Sequence, residues 1–299
     1  MDLQIGRLVV SLGVNTAELD GAGAAVARLE RTTSSSFTMM AQRMRTFGYL
    51  TSVVLTAPIL MASKNMTQMG MDFEFSMNKM IGLAGVAKDR IKEYSNEVLA
   101  MSKTTATGPK ELADTLYFVA SSGIKGSEAL RVTELAAKGA ASGMGEARDV
   151  ANLLTSAMNA YRATGLTATH MMDVMTATIR EGKGEPAEMV KSFGSLMLMS
   201  AELGVKVEDL AGNFALLTLM TNSSSTASTY LRQLLQTIMK PTPGEKDIMS
   251  RMGITPAQVQ TIFREQGILA GLTKLRDLTK QHGESIAQLF PNQIGRAHV

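Results

Sequence analysis

The chain has 299 residues, 45% of them apolar, with a net charge of +3 and no cysteine. That length and apolar content can bury a sizeable core in one or two domains, which excludes a disordered chain. Missing thiols exclude disulfides, thiolate catalysis and thiolate zinc sites, and the basic residues are scattered, so no sequence-specific grip on nucleic acid is implied. Aromatics make up 5%, tryptophan is absent and methionine occurs 23 times, so Ala, Leu and Met fill the core. Such side chains favour helices, and most of the methionines read as core filler instead of adaptable surface.

At the N-terminus, Leu8, Val10, Leu12 and Val14 alternate with Arg7, Val9, Ser11 and Gly13, the period of a short β-strand over residues 1–14. Met1-Asp2-Leu3-Gln4 lacks a basic region followed by an apolar core, so no secretory signal is read and the product is expected to begin in the cytoplasm. Asn15 then caps a helix with Glu18 reaching back, and residues 15–71 read as a long helical arm, interrupted where the hydroxyl run Thr32 to Ser36 competes with helical backbone. Within the arm, Thr46 to Ser63 carries no charge and is framed by Arg45 and Lys64, at the lower edge of a membrane span. Pro58 and the hydroxyl residues weigh against insertion, and a buried or partner-binding helix has the same composition.

Consecutive helices are predicted from about residue 64. The clearest runs from Glu146 to Arg162, with Ala147, Val150, Ala151, Leu154, Ala157, Met158 and Tyr161 on the apolar face and Arg148, Asp149, Asn152, Thr155 and Asn159 opposite. A second stripe, Leu231, Leu234, Leu235 and Ile238, lies between Thr229 and Lys240, and Pro241 with Pro243 stops it. Between helices one punctuation recurs: Gly123-Ile124, Gly165-Leu166, Gly204-Val205 and Gly253-Ile254. A left-handed glycine closing a helix, with the aliphatic packed back on the last turn, explains each. Their spacing, about one helical hairpin, reads as a degenerate repeat of helix pairs. The small residues from Ala136 to Gly145 allow close approach of neighbouring backbones.

The order of motifs resembles the tail tape measure proteins of long-tailed bacteriophages. In that family an apolar "lT.P" segment precedes a helix reading "dFE.sm.kv". Leu55, Thr56, Pro58, Asp72, Phe73, Glu74, Ser76, Met77 and Lys79 match, with Met80 where a β-branched residue is usual. A second motif is met by Thr105, Glu111, Leu112, Ala113, Leu116, Ala120, Gly123 and Glu128. A third is met by Ala201 to Ala211, and a fourth by Ala227, Thr229, Leu231 and Arg232. The resemblance covers roughly residues 50 to 290.

Searches for chemistry return nothing that demands an enzyme. His170, His282 and His298 share no ligand spacing, so no metal or cofactor site is assigned. Gly21-Ala22-Gly23 lacks the strand-to-helix context of a dinucleotide loop, and Gly182-Lys183-Gly184-Glu185-Pro186 lacks the spacing of a phosphate loop, with Pro186 expected to open a helix. Asp72 and Glu74 diverge on a helix and read as a solvated face with an N-terminal dipole role. An enzyme with dispersed groups needs a pocket gathering Glu111, Glu128 or His170.

The expectation is an all-α protein, mostly helical hairpins, with the short N-terminal strand and long helical arm, an all-α core at 72–240 and a helical extension at 241–293. The last six residues, Ile294 to Val299, back-translate into a common sequencing-adapter end and are expected to be non-native, cutting a longer protein. The resemblance implies a structural role with no catalytic residues: setting tail length as a multi-copy bundle inside the tube. Implied partners are the major tail (tube) protein, tail assembly chaperones, distal tail or baseplate proteins and, on genome ejection, the host inner membrane. The alternative is a membrane-active, pore-forming or toxin-like helical protein working through Thr46 to Ser63.

Overall fold

A computed structural model of the chain describes residues 63–290. The expected strand at 1–14, all but the last residues of the arm at 15–71, and the tail at 294–299 lie outside the described residues. Within them the chain is helical with no strand, the all-α class that its composition implies. The described helices are α1 (Ser63–Gly82), α2 (Ile91–Thr104), α3 (Pro109–Ser121), α4 (Gly126–Ala141), α5 (Ala147–Ala160), α6 (Ala168–Glu181) and α7 (Pro186–Gly194). They continue with α8 (Met197–Leu203), α9 (Val207–Thr221), α10 (Ser224–Met239), α11 (Pro243–Arg251), α12 (Pro256–Gln281) and α13 (Ile286–Leu289). Two compact units divide inside α6, between Asp173 and Val174.

In the unit before that division, α3 packs on α1, α2, α4 and α5, and α4 and α5 make the broadest pairing. Small residues permit it. A Cβ at Gly139 would sit 3.0 Å from Val150 Cγ1 and 3.1 Å from Met172 Cε, so the α4 backbone lies directly against side chains of α5 and α6. Ala136, Ala147, Val150, Ala151, Leu154, Ala157 and Tyr161 are buried, as the periodicity requires. Glu146 is the N-cap of α5 and not part of it. Thr155, expected on the polar face, is 2% exposed, because its hydroxyl donates to the Asn152 carbonyl at 3.3 Å within the helix and leaves an apolar methyl to pack. Met158 is only half-buried.

In the second unit α10 packs on α7, α8, α9 and α12. Leu231, Leu234, Leu235 and Ile238 form its buried stripe, and the helix starts at Ser224, where the Ser223 hydroxyl accepts from Thr226 N and supplies the cap. At the core Phe193 of α7 meets Phe214 of α9, ring centroids 5.2 Å apart. Thr242 and Glu245 form a capping box at the start of α11, with Pro243 at N1, so the predicted stop after α10 is also a start.

All four Gly-aliphatic turns are followed by a helix beginning three residues after the glycine. At Gly204 and Gly253 the closure is a full Schellman motif: Val205 N donates to Ser200 O and Ile254 N to Met249 O, each at 3.0 Å, with the glycines at φ 79° and 70°. The same closure occurs at Gly143-Met144. The expected repeat of helix pairs is thereby enlarged to a three-helix motif that each unit contains. α3–α4–α5 and α7/α8–α9–α10 both open on a proline at N1, pass a Gly-aliphatic turn, turn again through a positive-φ residue (Gly143, Asn222), and pack the third helix back on the first two.

Candidate functional surfaces and family

Polar chemistry in the first unit converges on Asp114 of α3. Its carboxylate accepts from the buried Ser76 hydroxyl of α1 and from Lys110 Nζ, both at 2.7 Å, with Lys79 Nζ of α1 at 3.9 Å. Burial alone would raise the Asp114 carboxyl. Hydrogen bonds from Lys110 and Ser76 and the charges of Lys110 and Lys79 outweigh it and hold the group below the usual carboxylate range. Two hydrogen-bond donors and a neighbouring ammonium on one carboxylate make a clasp between helices.

The outer side of α1 carries exposed apolar side chains. Met71 and Phe75 stand at i and i+4, with Met69 and, just past the helix, Leu83; all four are more than half exposed. Lys79 Nζ lies over the Phe75 ring at 4.7 Å. In the run Phe73-Glu74-Phe75 the first phenylalanine is half-buried and the second exposed. Asp72 and Glu74 flank Phe73, yet α1 is helical from Ser63 onward, so both are mid-helix and the expected N-terminal dipole role falls away.

The residues weighed for catalysis stand on three different helices. Glu111 sits exposed in the first turn of α3, Glu128 in the first turn of α4, and His170 near the start of α6. The two glutamates complement helix N-termini. Among the described residues no group of His, Asp and Glu could hold a metal ion. The Gly182-Lys183-Gly184 loop is a packing element: Lys183 N donates to Thr218 Oγ1 at 2.9 Å, and Cβ atoms at Gly182 and Gly184 would each lie 2.7 Å from a hydroxyl, Thr218 and Ser224. Pro186 opens α7 as expected. Burial pushes the Asp173 carboxyl up, eased by the charge of His170, and its Oδ1 finds no hydrogen-bond partner among the described residues. Among the described residues no helix is long and apolar enough to cross a membrane; all but the last residue of Thr46 to Ser63 lies outside them.

A family model described as phage-related minor tail protein matches residues 95–290, and the chain belongs to that family. It is similar to the tape measure protein of Pneumococcus phage Dp-1, with 20% identity over 249 residues, covering 83% of this chain and 22% of the relative. The chain thus spans about a fifth of that relative's length. No solved structure matches it. The resemblance to tail tape measure proteins read from the ordered motifs is shown by these matches, and with it a structural place in the phage tail.

Proposed function

We propose that this chain is a section of a molecular ruler that templates tail-tube assembly and sets tail length. The observation that carries the reading is the family match across 95–290, on a chain whose described part is helical. Several copies lie as a bundle in the tube lumen, and the major tail protein polymerises around them until the ruler ends. Tail assembly chaperones hold the ruler in the host cytoplasm before tube growth, and distal tail or baseplate proteins meet its end. The segment scheme of arm, core at 72–240 and extension at 241–293 belongs to this reading, as does the absence of catalysis. At about 1.5 Å per helical residue this section, fully stretched, extends roughly 450 Å.

Phage carrying an in-frame deletion of residues 146–203 are expected to have tails about 90 Å shorter. Tails of unchanged length in electron micrographs count against the ruler. Contact with the host membrane during genome delivery rests on Thr46 to Ser63 alone. Liposome leakage that is lost on Val54→Asp supports it, and leakage that persists in the variant removes that role.

A further inference from the structure

Helix α12 is not one straight rod. Gly267 has φ 84° and ψ 176° inside it, a region that only glycine enters readily, and it divides the helix into 256–266 and 268–281. Two contacts show how sharp the corner is. The Phe263 ring, fully buried, lies 2.9 Å from where a Gly271 Cβ would stand. In a straight helix those positions are about 12 Å apart along the axis, beyond the reach of a side chain that points back toward the N-terminus. The second contact comes from α9. Asp209 Oδ2 accepts from Ile268 N at 2.8 Å, capping the first amide of the second half, and Asn213 Nδ2 lies 3.2 Å from Asp209 Oδ1.

In a continuous helix Ile268 N would bond to the Arg264 carbonyl. The Asp209 carboxylate replaces that carbonyl and adds a negative charge at a helix N-terminus. Beyond Pro256 at N1 the run to Gln281 contains no proline, so every amide past the first turn has an intrahelical partner available once Gly267 turns helical. We propose that α12 is a two-state elbow, held bent by the Asp209 clasp and able to straighten into a rod of about 39 Å when the clasp is released. Straightening uncovers Phe263, so the bent form is the resting state of the free chain and the rod is favoured by any surface that covers that ring. The device is a property of the second unit and stands or falls apart from the ruler.

The test is a distance. The chain has no cysteine of its own, so spin labels on cysteines placed at Ala257 and Lys280, both exposed, report on α12 alone in the full chain. A straight helix separates them by about 35 Å. The wild-type background is expected to give one distance clearly below that value. Asp209→Ala and Asp209→Asn are expected to add a population near 35 Å, and Gly267→Ala to make it the major one. A wild-type distance already at 35 Å overturns the elbow outright. So does a single short distance in every variant that retains its helical circular dichroism. Should Gly267→Ala fail to fold, the two Asp209 variants decide.

Discussion

Asp114 and Asp173 are two carboxyls with opposite consequences. Asp114 is held below the usual range by its donors, so its ionised form stabilises the fold above the unfolded value of about 3.9, and that contribution is lost as pH falls through the depressed value. Asp114→Ala leaves the buried Ser76 hydroxyl without its acceptor and is expected to cost about 1–3 kcal/mol. Thermal melts should show the gap between wild type and Asp114→Asn narrowing below pH 4. Asp173 runs the other way. Burial raises it, so the stability it contributes is complete below about pH 3.9 and lost as pH rises through the raised value, leaving an ionised group that burdens the fold at neutral pH. Asp173→Asn is therefore expected to raise the melting temperature at pH 7 and to lose that gain in acid. A variant melting lower than wild type at pH 7 contradicts the assignment.

At the scale of elements, turns and close approaches decide more than propensity. Gly253 has no heavy atom near its would-be Cβ, so Gly253→Ala tests left-handed strain alone; a loss of about 1–2 kcal/mol is expected in denaturant unfolding. Gly139→Val tests packing, since Val150 and Met172 already occupy the space. Overpacking between α4 and α5 is expected to cost about 1–3 kcal/mol. Much of this was legible. The stripe of α10, the face of α5 and the left-handed glycines of the four Gly-aliphatic turns follow from spacing, because a 3.6-residue period and a turn glycine leave local marks. Other features leave no local mark. The α12 elbow depends on Asp209, 59 residues from the amide it caps, and a lone Gly267 in a helical run reads as a mere weak point. Thr155 was misplaced because a hydroxyl counts as polar until its bond to the helix's own backbone is seen. The Asp114 clasp joins residues 38 apart, and nothing in either stretch alone foretells the pairing.

For the whole molecule, the same three-helix motif appears in both compact units, and membership of the phage-related minor tail protein family spans both. A ruler made of such motifs lengthens by whole units. Deleting 146–203 removes parts of both motifs, so a shorter tail could also follow from failed assembly. Duplication has no such ambiguity. The most direct measurement is the length distribution of tails from phage in which residues 109–165, one three-helix motif with its closing turn, are duplicated in frame. The ruler reading requires infectious or full particles with tails longer by about 85 Å, at 1.5 Å per added helical residue. Complete tails of wild-type length carrying the duplicated protein would contradict it.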